Sequence, residues 1–87
     1  MSKYKLSIKK SAQKDIRKLP RIYIKRVTLA IYELANDPRP SGSKKMSGYT
    51  NLWRIRVGVY RVLYTIEDGI LTIKVLEIGH RKDIYKD

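Results

Sequence analysis

Arginine side chains recur at alternate positions in the middle of the chain, at Arg54 and Arg56 and, after a short break, at Arg61. A guanidinium carries a permanent charge and a planar fork of N–H donors that matches the oxygens of a phosphate. Near the C-terminus Arg81 follows His80, the one histidine of the chain. Imidazole ordinarily titrates near neutrality, so this side chain can accept or donate a proton. These residue types predict a site that binds phosphate and moves a proton.

The overall charge of the chain indicates the same class of ligand. Twenty lysines and arginines oppose eight aspartates and glutamates, which gives a formal net charge of +12 over 87 residues. Such a charge favours anionic partners and increases the self-repulsion of the compact state. Nucleic acid is the first candidate ligand. An acidic protein partner fits the charge equally well, and a basic domain whose charges are simply solvated is the plainest alternative.

Other kinds of chemistry have few residues to support them. With one histidine, no cysteine and eight scattered carboxylates, the sequence predicts no metal site and no cofactor. It contains no glycine-rich phosphate loop and no nucleophile–base motif, so nucleotide hydrolysis and acyl transfer are not favoured. It also contains no apolar run typical of a signal peptide or a membrane-spanning helix, and no cysteine. We therefore expect a cytoplasmic protein with no membrane association.

The N-terminal half predicts one strand followed by two helices. Residues 4–8 alternate between apolar and polar side chains, as in a half-buried strand. Ser11 can cap a first helix, which is predicted to end at Leu19. Pro20 suits the first turn of a second helix, which is predicted to continue to Asn36. Together the two helices form a predicted hairpin.

The C-terminal half predicts a loop and three strands. Prolines, glycine and serines indicate a loop over residues 37–51. The three strand-like runs that follow are residues 52–57, 60–67 and 70–78. Gly58-Val59 and Asp68-Gly69 separate them, and both gaps have the length of a hairpin turn. This pattern predicts an antiparallel meander.

The alternation within these strands predicts a sheet with two different faces. One face is apolar and consists of Trp53, Ile55, Val57, Tyr60, Val62, Tyr64 and Ile66. The other face carries Arg54, Arg56 and Arg61 and is expected to look out to solvent. The length fits one domain over residues 1–87. The predicted fold class is α+β: an N-terminal strand, a two-helix hairpin, then a three-stranded antiparallel meander with the helices packed on one face of the sheet.

Several strings combine uncommon residues at fixed spacing. They are the joint Lys18-Leu19-Pro20 and the runs 44–48, 52–64 and 78–85. Through these strings and the order of its elements, the chain resembles the RelE family of toxins over essentially its whole length. The resemblance implies a cognate antitoxin that wraps and neutralises the toxin in a hetero-oligomer. In RelE-type members it also implies cleavage of mRNA in the ribosomal A site.

The resemblance assigns roles in a cleavage that needs no metal. The 2′-hydroxyl of the RNA attacks the adjacent phosphorus and expels the 5′-oxygen of the next nucleotide, so the site must move protons and stabilise charge. Arg61 and Arg81 match positions that the family uses, and we predict that they stabilise the charge on phosphorus. His80 is predicted to transfer a proton. Tyr85 matches a C-terminal tyrosine of the family and is predicted to donate a proton or stack on a base.

The chain departs from the family pattern at two positions. Arg54 and Arg56 stand where the best-known RelE-type member has lysines, and arginine does not give up its proton in a protein. We therefore predict that these two bind phosphate and do not act as general base. Three lysines are predicted to add nonspecific attraction to RNA: Lys44, Lys45 and Lys82. The alternative for all of these residues is a solvated charge, and for Arg61 an ion pair with Glu67 or Glu77.

Three functions are compatible with this sequence. The leading hypothesis is a ribosome-dependent mRNA endoribonuclease. The second is a noncatalytic poison of DNA gyrase, because the related ParE branch has the same fold, and fold alone does not decide activity. The third is an RNA-binding translation inhibitor that does not cut. The coincidence of Arg61, His80, Arg81 and Tyr85 favours cutting, since a gyrase binder needs no group for proton transfer.

Overall fold

The computed structural model of the chain describes residues 3–80. Within this range the elements are β1 Lys5–Ile8, α1 Lys10–Arg17, α2 Arg21–Leu34, β2 Lys44–Lys45, β3 Leu52–Val57, β4 Tyr60–Glu67 and β5 Thr72–His80. The strands form one sheet in the order β1-β5-β4-β3-β2, in which β1 is parallel to β5 and the other neighbours are antiparallel. The predicted α+β fold is confirmed. The short strand β2 lies inside the predicted loop and extends the sheet.

The first helix begins where the sheet holds the chain. The N–H of Lys9, at the N-cap position, donates to the carbonyl oxygen of Val75 in β5 at 2.9 Å. At the other side of α1, the carboxylate of Asp15 accepts from the backbone N–H of Ile78 at 3.2 Å. The prediction that Ser11 caps this helix is wrong, because the backbone bond to β5 places the N-cap two residues earlier, at Lys9, and Ser11 lies within the first turn.

The second helix follows after a short joint. Pro20 is its N-cap, with an extended backbone, and accepts the first helical hydrogen bonds from Tyr23 and Ile24 at 2.8 and 3.0 Å. A missing N–H costs nothing at this end of a helix, as the sequence predicted. The predicted C-terminal ends of both helices are two residues too long, since α1 stops at Arg17 and α2 at Leu34.

Both helices cover one face of the sheet and form the main core with it. Its buried residues are Ala12, Val27, Ile31, Leu34, Ile55, Val57, Val62, Tyr64, Ile66, Ile73, Val75 and Ile78. Trp53 and Tyr60 are partly buried against this core, and Tyr64 is fully buried. The prediction that these aromatic residues belong to the apolar face that the helices cover is confirmed. The apolar side chains at alternate strand positions therefore pack against the apolar side of the helices, as the sequence pattern predicted.

The opposite face of the sheet carries a second, smaller apolar cluster. It consists of Met46, Leu52 and Leu63, with Leu76 partly buried against it. We call this side of the sheet the arginine face, because Arg54, Arg56 and Arg61 lie on it together with the small cluster. The alternation within β4 predicts Leu63 on this face beside Arg61, and the structure adds Met46, Leu52 and Leu76.

The two hairpin connections differ in length. Gly58-Val59 joins β3 to β4 as predicted, and Gly58 has a φ of 61°. The prediction of a two-residue turn at Asp68-Gly69 is wrong. Glu67 pairs with Thr72, and the chain between them forms a 3-10 turn followed by Leu71 in the left-handed region, at a φ of 47°. The third long strand therefore starts two residues later than predicted.

Candidate nucleic-acid interface

The pairing of β3 with β4 brings the central arginines together. Arg56 lies directly opposite Arg61, and Arg54 lies opposite Leu63, so all three arginines project from the same face of the sheet. Directly opposed residues of an antiparallel pair have Cβ atoms about 4.5 to 5.5 Å apart, and like charges at such positions repel each other. An anion between Arg56 and Arg61 would relieve that repulsion. The strand register therefore creates a position suited to a phosphate.

Two of these three arginines are buried. Arg54 is 5% exposed and Arg61 is 9% exposed, while Arg56 is exposed. The prediction that the whole arginine face looks out to solvent is therefore wrong for Arg54 and Arg61. Both lie on inner strands, next to the apolar cluster of Met46, Leu52 and Leu63, along which aliphatic stems can pack. A charge held in such surroundings interacts with a phosphate more strongly than one in bulk water.

A small cavity lies at the hairpin end of this arginine pair. It has a volume of about 140 Å³ and is lined by Arg56, Gly58, Val59, Tyr60 and Arg61. On the other side of Arg61, the strand partner is Gly79, which has no side chain. The two opposed arginines thus border an opening together with residues of the hairpin turn. This geometry accommodates a group of the size of a phosphate.

A larger cavity opens at the edge of β3. Its volume is about 400 Å³, and it lies between Arg54 and Arg56, residues 40–42 of the loop, and Ala30 and Glu33 of α2. Lys44 of β2 is the partner of Arg54 of β3, so Lys44 continues the series of basic residues on the arginine face. Lys45 is the partner of Trp53 and belongs to the opposite face. Only one of the two predicted lysines of this strand thus shares a face with the arginines.

The structure places His80 away from the arginine pair. His80 ends β5 as the partner of Tyr60, and the two rings meet edge to face with centroids 5.8 Å apart. The Tyr60 ring in turn meets the ring of Tyr23 of α2 at 4.9 Å. Because Gly79 and not His80 is the partner of Arg61, the two side chains project from opposite faces of the sheet. The structure does not bring them together on one face.

The remaining predicted site residues are Arg81, Lys82 and Tyr85. All three lie outside the described residues 3–80, so their roles stay predictions. Within residues 3–80, no three side chains of His, Cys, Asp or Glu form a group that can hold a metal ion. In the same part of the chain, no helix is long and apolar enough to cross a membrane.

Comparison with known proteins assigns the fold to a family. Residues 6–85 match the family model of the ParE toxin of the type II toxin–antitoxin system parDE. The chain belongs to the RelE/ParE toxin family. The toxin is 33% identical to toxin RelG of Mycobacterium tuberculosis over 84 residues, which cover 95% of this chain and 97% of the relative. It is 37% identical to toxin RelE3 of Methanocaldococcus jannaschii over 86 residues, which cover 93% and 94%.

A solved structure agrees with this assignment. The toxin matches a chain in the crystal structure of the archaeal RelE–RelB complex from Pyrococcus horikoshii with a TM-score of 0.82 and 28% sequence identity. The match covers 94% of the toxin and 99% of that chain. The resemblance to RelE toxins inferred from the sequence strings is therefore confirmed, and so is the fold that it implied.

The toxin also has a cavity on its arginine face that the sequence did not indicate. It has a volume of about 300 Å³ and is lined by Tyr49, Thr50, Leu52, Leu63, Thr65, Leu76 and Glu77. One signal for it exists in the sequence. Apolar residues alternate through Ile73 and Val75 but resume at Ile78, and this break in the period of two indicates a bulge.

A polar network on the other flank of the toxin holds the loop that leads to β2. The hydroxyl of Tyr64 donates to the carbonyl oxygen of Pro38 at 2.7 Å, and burial raises the pKa of Tyr64 to about 12. The Arg39 guanidinium contacts Asp68 at 3.0 Å and lies over the Trp53 ring. Hydrogen bonds from Tyr4 and then from Arg39 lower the pKa of Asp68. These contacts fix the loop beside the arginine face.

Proposed function

We propose that this toxin is a ribosome-dependent mRNA endoribonuclease, and that its arginine face holds the RNA at the phosphate to be cut. The observation that carries the proposal is the directly opposed pair of Arg56 and Arg61 beside a small cavity, with Arg61 only 9% exposed. Two permanent positive charges at directly opposed positions together attract an anion. A phosphate that gains negative charge during reaction is the anion that benefits most.

The proposed reaction needs no covalent intermediate. The 2′-oxygen of one nucleotide forms a bond to the adjacent phosphorus, the bond from phosphorus to the 5′-oxygen breaks, and the proton of the 2′-hydroxyl is removed while the leaving oxygen gains one. Arg61 and Arg81 would stabilise the negative charge on the non-bridging oxygens. Arg56 would bind the same phosphate from the facing strand, and Arg54, Lys44 and Lys82 would bind neighbouring phosphates.

Proton transfer in this reaction falls to His80 or Tyr85, because an arginine does not act as a base. His80 packs against Tyr60 on the helix side of the sheet, which favours a positioning role for it through the end of β5. Tyr85 is then the better candidate for proton transfer. A pH–rate profile separates the two, because replacing the group that transfers the proton removes the corresponding limb of the profile.

The proposed partner of the toxin is a cognate antitoxin, with which it would form a hetero-oligomer. The support is the similarity to a toxin chain crystallised as a RelE–RelB complex, together with the net charge of +12. An antitoxin with an acidic segment would associate fast and neutralise the basic surface. Expression of the toxin alone should therefore stop growth, and co-expression of its antitoxin should restore it.

Poisoning of DNA gyrase is the second candidate function. The family model that the chain matches carries the name of the ParE toxin, which favours this reading. Brief expression in cells, followed by mapping of the 5′ ends of cellular mRNA and a parallel supercoiling assay, separates the two functions. The endoribonuclease proposal predicts new 5′ ends within coding regions and unchanged supercoiling. Gyrase poisoning predicts changed supercoiling and no new 5′ ends within coding regions.

The matched control for these assays is Arg17→Ala. Arg17 is exposed at the end of α1, on the helix side of the sheet, and its replacement removes the same charge as Arg61→Ala. If the proposal is right, Arg17→Ala should cut like the wild type and Arg61→Ala should not. Equal effects of the two variants would mean that only the net charge matters.

A further inference from the structure

The cavity at Glu77 differs in chemistry from the arginine pair beside it. Its lining combines three apolar residues, Leu52, Leu63 and Leu76, with Tyr49, Glu77 and the two threonines Thr50 and Thr65. A carboxylate repels a phosphate, so this cavity is not a second phosphate site. Apolar walls with a small number of polar groups are typical of small-molecule pockets, and about 300 Å³ is at the small end of their size range.

A closed loop holds the aromatic part of this lining. The backbone N–H of Met46 donates to the carbonyl oxygen of Leu52 at 2.7 Å, which closes the loop of residues 47–51 at its base. The Met46 side chain is 6% exposed and anchors the same loop in the small apolar cluster. Tyr49 lies in this loop, lines the cavity and is 48% exposed.

A bulge in β5 brings the carboxylate to the cavity. Leu63 pairs with Glu77, but the next residue of β4, Tyr64, pairs with Val75, so Leu76 is an extra residue in β5. Consecutive residues of a regular strand point to opposite faces. Here Leu76 and Glu77 both line the cavity, because the bulge changes the direction of the strand. Bulges of this kind are common next to functional sites.

The cavity lies close to the proposed phosphate site along β4. Leu63 in its lining lies on the same face of β4 as Arg61, two residues away, which corresponds to about 7 Å along the strand. A nucleotide whose phosphate lies at Arg61 can therefore place its base over Leu63. Unstacked RNA bases bind in this way, stacked on an aromatic side chain and hydrogen-bonded along the Watson–Crick edge.

We propose that this cavity is a nucleobase subsite that selects guanine next to the cleaved phosphate, with Glu77 as the residue that determines specificity. The proposal rests on the proposed ribonuclease function and names its substrate preference. Guanine presents two adjacent donors, N1–H and the 2-amino group, which match the two oxygens of a carboxylate. Adenine and cytosine offer an amino group beside an acceptor nitrogen, and uracil has one N–H between two carbonyl oxygens. Tyr49 stacks on the base and contributes affinity without selectivity.

The test measures binding separately from cleavage. The probes are four 2′-O-methyl pentanucleotides with uridine flanks and a central G, A, C or U, which the toxin cannot cut because the attacking hydroxyl is blocked. Wild-type toxin should bind the G probe about 5- to 150-fold more tightly than the others, the range expected for one bidentate contact to a base. In Glu77→Gln this preference should fall below about threefold, since the amide has one acceptor oxygen and one donor group in place of the two acceptor oxygens of the carboxylate.

The matched control is Glu67→Gln. Glu67 lies on the same face at the far end of β4 and approaches Lys74 at 3.8 Å, so the substitution removes the same charge outside the cavity. It should leave the preference for guanine unchanged. Tyr49→Ala should weaken binding of all four probes by a similar factor, and thermal melting checks that each variant is folded. A wild-type toxin that binds all four probes equally, or a Glu77→Gln variant that keeps the preference, overturns the proposal.

Cleavage assays keep this inference apart from the proposed function. A toxin that cuts ribosome-bound mRNA without a base preference that depends on Glu77 would leave the ribonuclease function intact and remove the guanine subsite. A toxin that binds the G probe selectively but cuts no mRNA would keep the subsite and remove the ribonuclease function.

Discussion

The two faces of the central sheet are built from the same strands but differ in what their side chains do. On the helix side, Val62, Ile73 and Val75 are fully buried in one continuous core. On the arginine face, Arg54 and Arg61 are almost as inaccessible, next to a cluster of only a few apolar residues. The helix side thus stabilises the fold, whereas the arginine face keeps charges in place at a cost in self-repulsion. Natural proteins retain such arrangements at functional sites.

The largest expected effect comes from removing core volume on the helix side. Ile73→Ala should lower the free energy of unfolding by about 2 to 5 kcal/mol, because Ile73 is fully buried and its neighbours close the cavity only in part. Leu63→Ala is the matched change on the arginine face. It should cost less, since the small cluster is bordered by an open cavity and can relax. Urea denaturation measures both, and an equal or larger loss in Leu63→Ala would contradict the comparison.

A clash at the hairpin between β3 and β4 is expected to have the next largest effect. A Cβ atom at Gly58 would lie 2.6 Å from the Tyr23 ring, and the residue has a φ of 61°. Gly58→Ala should therefore destabilise the toxin by about 1 to 3 kcal/mol through steric overlap and a left-handed backbone. In a Tyr23→Ala background the same change should cost clearly less. Additive effects of the two substitutions would show that the contact is not the cause.

The bounds of β3 and β4 could be predicted from the sequence, whereas the turn between β4 and β5 could not. The alternation of apolar residues gives β3 and β4 their observed bounds, because one continuous core enforces a period of two. The C-terminal hairpin was misread because Asp68-Gly69 is a common two-residue turn signal, whereas contacts of Asp68 with Tyr4 and Arg39 are tertiary and invisible locally.

The candidate site was predictable in its residue types and not in its placement. Arg54, Arg56 and Arg61 were identified as one face from spacing alone, and the register confirms this. Their burial depends on neighbouring strands and on Met46, which the sequence places in a loop. The face of His80 depends on the register between β4 and β5, where a bulge breaks the simple alternation. No local pattern determines the burial of the arginines, and the break in alternation before Ile78 is the one local sign of the bulge.

A smaller and pH-dependent effect is expected at Tyr64. Burial raises its pKa from 10.0 to about 12, so the folded toxin holds the proton more tightly than the unfolded chain. The associated stability is complete below pH 10 and is lost as the pH rises from 10 to about 12. Tyr64→Phe should cost about 1 kcal/mol at pH 7, the worth of the hydrogen bond to Pro38. The difference between wild type and variant should shrink above pH 10, and a constant difference would contradict the assignment.

The smallest effect is expected at the exposed carboxylate of Asp68. Hydrogen bonds from Tyr4 and Arg39 lower its pKa, so its contribution to stability is present above the ordinary carboxyl pKa and is lost as the pH falls through the lowered value. The free energy of unfolding should therefore fall slightly less between pH 7 and acid pH in Asp68→Asn than in the wild type. High salt should reduce the effect further, because exposed pairs are screened. If Asp68→Asn lowered the free energy of unfolding as much as Ile73→Ala, the claim that the helix-side core dominates stability would be contradicted.

The most direct test of the account is single-turnover cleavage of ribosome-bound mRNA by wild type, Arg61→Ala and Arg17→Ala. Arg61 lies opposite Arg56 at the proposed phosphate site, and Arg17 is exposed on α1. Arg61→Ala should slow cleavage by about 30- to 1000-fold, which corresponds to about 2 to 4 kcal/mol of transition-state stabilisation, while remaining folded. Arg17→Ala should cleave at the wild-type rate. A folded Arg61→Ala variant that also cleaves at the wild-type rate would contradict the assignment of the arginine face as the catalytic surface.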